Sequence, residues 1–188
     1  MKISGNEIRP GYVLEHKDRI WMVARAEHVK PGKGPAYQQV ELKDLVDGTK
    51  LNERFRAVET VERVRLDERQ YQFLYQDGEQ LNLMDQESFE QLTIDQSLVG
   101  DRLPFLQEGM TLTLLSYEGR PLMVHLPDTA VLEVVEADPV VKGQTAAASY
   151  KPAVLENGVR VMVPPHIEAG TRVVVNIAEA SYVERARD

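Results

Sequence analysis

The sequence predicts an all-β protein built from several small barrels or sandwiches, and three observations predict it. Short runs rich in Val, Leu, Ile, Tyr and Thr alternate apolar with polar residues; glycine-containing pairs punctuate them; and no helical period lasts long enough for a bundle or a doubly wound sheet.

The punctuation marks the hairpins. Asp47-Gly48, Asp77-Gly78, Glu118-Gly119 and Asn157-Gly158 each lie between two strand-like runs. Asp-Gly and Asn-Gly suit tight connections because these residues tolerate the positive φ of a type I′ turn. Helix is expected only over Asp85 to Leu92, behind an Asp cap, and over Ser97 to Leu106, where Pro104 limits it.

Charge divides the chain further. The net charge is −8, but residues 1–64 hold 12 Lys/Arg against 10 Asp/Glu, residues 65–128 hold 4 against 12, and residues 129–188 hold 6 against 8. The swing near Val64-Arg65 and the Leu-Pro break before Asp128 predict modules at 1–64, 65–128 and 129–188. Modules of this size fold alone only marginally and are expected to lean on one another. No close sequence repeat relates them. An acidic middle module repels phosphate, so contact with RNA is expected at chosen basic spots in the first and last thirds.

Other classes are excluded by what is missing. There is no cysteine, hence no disulfide and no thiolate metal site, and no apolar run approaches the roughly 20 residues needed to span a bilayer. The N-terminal MKISGNEIRP has no apolar export core, so a cytoplasmic location is expected. His16, His28, His125 and His166 are isolated, and neither H-E-x-x-H nor G-x-S-x-G occurs. The reading is a non-enzyme without metal or cofactor. A general single-strand RNA binder is the competing class, yet such proteins interleave aromatics along a basic groove, and here 12 aromatic residues accompany two acidic modules.

The most distinctive stretch is IWMVARAEHVKPGKGPAYQQVELKDLV, where two strand-like arms flank Lys30-Pro31-Gly32-Lys33-Gly34-Pro35. About ten residues per arm, at ~3.3 Å each, predict a hairpin on the order of 30 Å long with its tip clear of the core. Pro31 and Pro35 fix φ, while Gly32 and Gly34 strip Cβ bulk from either side of Lys33. One bare amine is left at the apex. A polar hairpin turn would carry the same residues. A phosphate-binding P-loop is excluded, because Gly34 stands where Ser or Thr is needed and no helix follows.

With its flanks, this loop resembles elongation factor P. Asn6 to Gly11, LVDGTKLNERF from Leu45, Tyr75 to Gly78, ADPVVKGQTA from Ala137, Lys151-Pro152-Ala153, NGVRVMVPPHIEAG from Asn157 and Tyr182 to Arg185 follow the family in order, so the likeness spans the chain. The resemblance implies an SH3-like (KOW-type) N-terminal domain followed by two OB-fold domains, elongated like a tRNA. It also implies that Lys33 is the lysine that receives a β-lysyl group in many members, in a loop set by Lys30, Pro31, Gly32 and Gly34 that touches the tRNA CCA end.

Two further elements follow from the resemblance. Gly143-Gln144-Thr145 matches an RNA-contacting loop of the third domain that usually reads Gly-Asp-Thr, and Gln144 departs from it. Tyr182 and Arg185 match a C-terminal element tied to activity, although the preceding Val175 to Ser181 diverges. The partners implied are the 70S ribosome, the P-site tRNA and a lysine-modifying enzyme, with no membrane and no DNA. The function implied is to promote peptide-bond formation between the P and E sites and relieve polyproline stalling. The elongation factor P-like paralogues are the nearest alternative, but they tend to carry arginine at the loop tip, and KPGKG favours the main family.

Overall fold

A computed structural model describes residues 1–139 and 149–187. Its described residues form strands in three sheets, and the helical pieces among them are three short 3-10 segments. The first sheet holds β1 (Lys2–Ser4), β2 (Val13–His16), β3 (Arg19–Val29), β4 (Tyr37–Asp44), β5 (Lys50–Arg56) and β6 (Thr60–Arg63), in the order β1-β6-β2-β3-β4-β5. The second holds β7 (Asp67–Asp77), β8 (Gln80–Asp85), β9 (Gln91–Asp95), β10 (Thr111–Tyr117) and β11 (Arg120–His125), ordered β11-β10-β7-β8-β9. The third holds β12 (Thr129–Ala137), β13 (Lys151–Leu155), β14 (Arg160–Val163), β15 (Arg172–Asn176) and β16 (Ser181–Arg185), ordered β14-β13-β12-β15-β16.

The alternation read from the sequence is the alternation of burial. Along β4, Gln38, Val40, Leu42 and Asp44 point inward, and along β8 Leu81, Leu83 and Asp85 do. The chain packs as two compact units, Met1–Arg69 with Leu114–Met123, and Gln70–Thr113 with Val124–Asp188. In the first, Ile8, Leu14, Trp21, Val23, Val40, Leu42 and Phe55 make a core closed by Ile3 and Val61. In the second, Phe105 joins Leu132, Val134, Leu155, Val163, Val173 and Val175 in one cluster. Burying a side chain of this kind contributes about 1.5–3 kcal/mol.

One device recurs in all three sheets, although no sequence repeat announces it. Gly11, at φ 88°, donates its N–H to Val23 O (2.8 Å), and Val23 N–H returns to Tyr12 O (2.8 Å). Gly109, at φ 81°, does the same with Phe73 while Phe73 N–H returns to Met110 O, at 2.8 and 2.9 Å. Gly170, at φ 91°, pairs likewise with Val134, which returns to Thr171 O, at 2.7 and 2.9 Å. Each partner residue begins a bulge, between Val23 and Arg25, between Phe73 and Tyr75 and between Val134 and Glu136. A bulge bends and overtwists its strand, so a long strand can turn from one neighbour to the next and curl the sheet.

The turns hold two surprises and one correction. Glu118 and Gly119 have φ of 50° and 79°, as a type I′ hairpin requires, but at Asp77-Gly78 the two-residue connection is Gly78-Glu79, with positive φ at Gly78 and Asp77 still paired to Gln80. Lys17 and Asp18, at φ 50° and 59°, close the β2–β3 hairpin with no glycine to mark it. The helix expected over Asp85 to Leu92 is not formed: β8 runs to Asp85, a turn follows, and β9 begins at Gln91. The capping signal was real, since Asp85 Oδ1 accepts from the N–H groups of Glu87 (2.8 Å) and Ser88 (3.1 Å), but those amides belong to a hairpin loop. Beyond it, Gln96–Leu98 and Gly100–Phe105 are 3-10 turns, the second containing Pro104.

Candidate functional site

The loop from Lys30 to Ala36 joins β3 to β4, and Val29↔Tyr37 is the last paired rung beneath it. The expectation of a free hairpin some 30 Å long is revised by β5, which pairs with β4 from Lys43↔Lys50 up to Tyr37↔Arg56. Ala57 N–H then donates to Ala36 O at 3.0 Å. The β4 arm is therefore buttressed along its whole length, and only the seven-residue loop extends past the paired strands. This non-local pairing could not be read from the two arms alone.

Within the loop Lys30, Gly32, Lys33, Gly34 and Pro35 are exposed, while Pro31 and Ala36 are half-buried. Gly34 has φ 110°, a conformation that only glycine adopts without strain, and a Cβ there would stand 3.8 Å from Pro31 Cγ. Gly32 differs. Its φ is not positive, and a Cβ would meet nothing within 4 Å. So Gly34 shapes the turn, whereas Gly32 leaves open space beside Lys33 that the chain itself does not need. Among the described residues no ion pair or hydrogen bond engages the ammonium of Lys30 or Lys33.

The base of the loop is held by residues the sequence reading did not single out. Arg54, on β5, places its guanidinium 5.0 Å from the Tyr37 ring centre and donates from Nε to Gln39 Oε1 at 3.1 Å. Gln38, buried on the opposite face of β4, donates from Nε2 to Asn6 O at 3.4 Å. A cleft of about 340 Å³ lies alongside, lined by Asn6, Ile8, Arg9, Pro10, Ala26, His28 and Gln38. The only sequence signal for the Tyr37–Arg54 pair was an aromatic next to Pro35-Ala36, and its partner lies on another strand.

The remaining sequence-predicted residues are not gathered at this loop. Tyr182 and Arg185 lie on β16. The Tyr182 ring packs against the core of the third sheet and meets Tyr150 edge-on, centres 6.5 Å apart at 83°. Burial first, then Tyr150 and Glu184, push its phenol above the ordinary tyrosine value. Arg185, opposite Val173, is exposed. Gly143, Gln144 and Thr145 lie outside the described residues. Among the described residues no group of three or more His, Asp or Glu could hold a metal ion, and no helix is long and apolar enough to cross a membrane.

Comparison with known proteins agrees along the whole chain. Residues 4–61 match the elongation factor P KOW-like domain, residues 66–124 the elongation factor P OB domain, and residues 130–185 the elongation factor P C-terminal domain. The chain is 59% identical over 186 residues to the elongation factor P of Brucella canis and to that of Erythrobacter litoralis, covering 99% of this chain and 100% of each relative. Among solved structures it is similar in fold to eukaryotic translation initiation factor 5A from Methanococcus jannaschii, with a TM-score of 0.56 at 17% identity over 68% of this chain and 92% of that one. A translation initiation factor of the same family from Naegleria fowleri gives a TM-score of 0.51 at 16% identity, over 67% and 98%. An all-β chain with a KOW-like domain, an OB domain and an elongation factor P C-terminal domain, near 60% identical to curated members from end to end, belongs to the bacterial elongation factor P family of translation factors.

Proposed function

We propose that this protein binds the ribosome between the P and E sites, in the cytoplasm, and promotes peptide-bond formation at proline-rich stretches by steadying the P-site tRNA. The observation that carries this reading is the geometry of Lys33: an exposed amine that no ion pair or hydrogen bond engages among the described residues, at the tip of a loop whose base is clamped. Lys30, Pro31, Gly32 and Gly34 set the loop for contact with the CCA end. The modules at 1–64, 65–128 and 129–188 serve as loop carrier, acidic body and a second RNA-contacting end, the last through Gly143, Gln144 and Thr145 and through Tyr182 and Arg185.

The chemistry favours such help. Proline fixes φ, offers a secondary nitrogen and biases the nascent chain towards polyproline II, so the geometry for attack is seldom reached. Holding both reactants reduces the orientational entropy still to be lost, an effect that reaches about 7–11 kcal/mol at its extreme. Lysine suits the contact as a slender chain with a compact charge. A modifying enzyme that attaches a β-lysyl group to Nζ would lengthen it, and the open flank at Gly32 leaves room for both enzyme and RNA.

The test is translation of a polyproline template in a reconstituted system. Lys33→Ala is expected to abolish the rescue given by the natively expressed protein, and full rescue by the variant overturns the role. Intact mass of the native protein with peptide mapping around Lys33 reports the modification.

A further inference from the structure

Gln38 occupies an inward position of β4 where its neighbours Val40 and Leu42 are apolar, and it is 4% exposed. Its Nε2 reaches Asn6 O at 3.4 Å, near the limit of a hydrogen bond, while its Oε1, shielded from water, accepts from no donor among the described residues. An unmet buried acceptor destabilises, and an apolar side chain of similar length would avoid that cost. Asn6 O does not depend on the amide either, since Arg9 Nη1 donates to it at 3.0 Å. A buried amide that the fold does not need points to a ligand.

Such a ligand has a place to sit. Gln38 belongs to the wall of the cleft of about 340 Å³, opposite His28 and one rung below the last pair under the lysine-bearing loop. That volume lies within the range of small-molecule sites, about 300–1,000 Å³. Ile8, Pro10 and Ala26 make the cleft apolar on its sides, and Asn6 supplies a second amide, whose side chain bonds to nothing among the described residues. Arg9, exposed, is held by its bonds to Asn6 O and Ile8 O, both 3.0 Å, with no carboxylate attached to it. Glu7, the acid nearest Arg9 in the chain, instead accepts from the Ser4 amide at 2.7 Å and the Ser4 hydroxyl at 3.1 Å, and Glu27, on the other face of β3, pairs with Arg25.

Two amides, an apolar slot and an unneutralised cation are the complement of a nucleotide. The edge of a base sets amino or imino donors beside carbonyl or ring-nitrogen acceptors, which side-chain amides match, and its flat faces fit between apolar residues or stack on an imidazole such as His28. Arg9 then has a phosphate within its neighbourhood to bind. Because the Nε2 contact is long, turning the Gln38 amide towards a base loses little and gives Oε1 the donor it lacks. An extended peptide fits less well, since β3 and β4 are paired with each other here and present no free row of backbone groups for strand addition.

We infer that this cleft binds an unpaired nucleobase, read by the amides of Gln38 and Asn6, with its phosphate on Arg9. That the base belongs to RNA rests on the ribosome-binding reading above; binding of free nucleotides does not, so the two fail separately. In nuclear magnetic resonance titrations, one or more of the four nucleoside 5′-monophosphates is expected to shift the side-chain amide signals of Gln38 and Asn6 and to saturate, whereas ribose 5-phosphate leaves the Gln38 amide unmoved. Gln38→Met is expected to melt no lower than the wild-type chain and to weaken that binding at least fivefold, and Lys33→Ala to leave it unchanged. On 70S ribosomes carrying a P-site tRNA, a photoreactive benzoylphenylalanine at position 28 is expected to cross-link to RNA. The inference is overturned by the absence of a saturable shift with any of the four nucleotides, by an equal shift with ribose 5-phosphate, by unchanged binding in Gln38→Met or a marked fall in its melting temperature, or by cross-links to protein alone.

Discussion

The guanidinium of Arg54 lies 5.0 Å from the centre of the Tyr37 ring, and Tyr37 is the first residue of β4 after the lysine-bearing loop. The pair therefore ties the base of that loop to β5. A partly exposed contact of this kind contributes about 0.5–1 kcal/mol. Arg54→Ala is expected to lower stability by about that amount in urea denaturation and, more tellingly, to speed hydrogen exchange at the Ala57 amide, which is bonded to Ala36 O beside the same rung.

The two glycines flanking Lys33 should respond differently to alanine. At φ 110°, Gly34 sits where a Cβ is strained, and Gly34→Ala should destabilise by about 1–3 kcal/mol or force the loop into another shape. Gly32→Ala meets neither strain nor neighbour and should leave stability within about 1 kcal/mol, on the favourable side if anything, because it stiffens the unfolded chain. Thermal melts of the two variants side by side decide it; equal losses would contradict the asymmetry.

Gly5 is a tighter case. A Cβ there would stand 2.2 Å from Arg56 O and 3.2 Å from Phe55 Cβ, inside a closely packed core. The obstructing atom is backbone and cannot swing aside, so Gly5→Ala should cost about 3 kcal/mol or more. The expected readout is a large drop in the urea midpoint, or failure to accumulate folded protein.

Acid should weaken the fold through specific carboxylates. Glu53 accepts from Lys17 Nζ at 2.9 Å and faces His16 Nε2 at 3.3 Å. The Lys17 bond foremost, with His16 adding to it against the opposing effect of burial, holds its carboxyl below the ordinary glutamate value. Glu7 is lowered by the Ser4 amide first, Asp47 by Thr49 and Asp95 by Ser97. In each case the unfolded chain binds the proton more readily. The stabilisation is thus complete above the unfolded values of about 3.9–4.3 and is lost as pH falls through the lower folded values. Glu53→Gln should flatten the decline in stability below about pH 4.3, measured by urea midpoints across pH.

What the sequence disclosed and what it withheld divide along local and non-local lines. Gly48, Gly119 and Gly158 mark turns because positive φ is a property of a single residue and its neighbours. The Lys17-Asp18 turn went unseen, since neither residue advertises left-handed backbone. Asp85 looked like a helix cap because a carboxylate accepting two successive amides has the same local pattern in a cap and in a hairpin loop. The loop and its lysine were legible from Pro and Gly alone. The strand that shores it up, β5, was not, for pairing Tyr37 with Arg56 is a decision taken across 19 positions of chain. The threefold likeness of the sheets rests on three glycines whose neighbours, Tyr12, Met110 and Thr171, share no side-chain chemistry.

The shoring of β4 has a consequence for how far the tip can travel. With both rails fixed as far as Val29 and Tyr37, swinging the backbone adds little distance, so any longer range would have to come from atoms appended to the amine itself. Lengthening the loop instead would trade aim for span. The modification proposed for Lys33 would give both, as a small covalent extension on a stationary mount, adjustable after synthesis without altering a single codon.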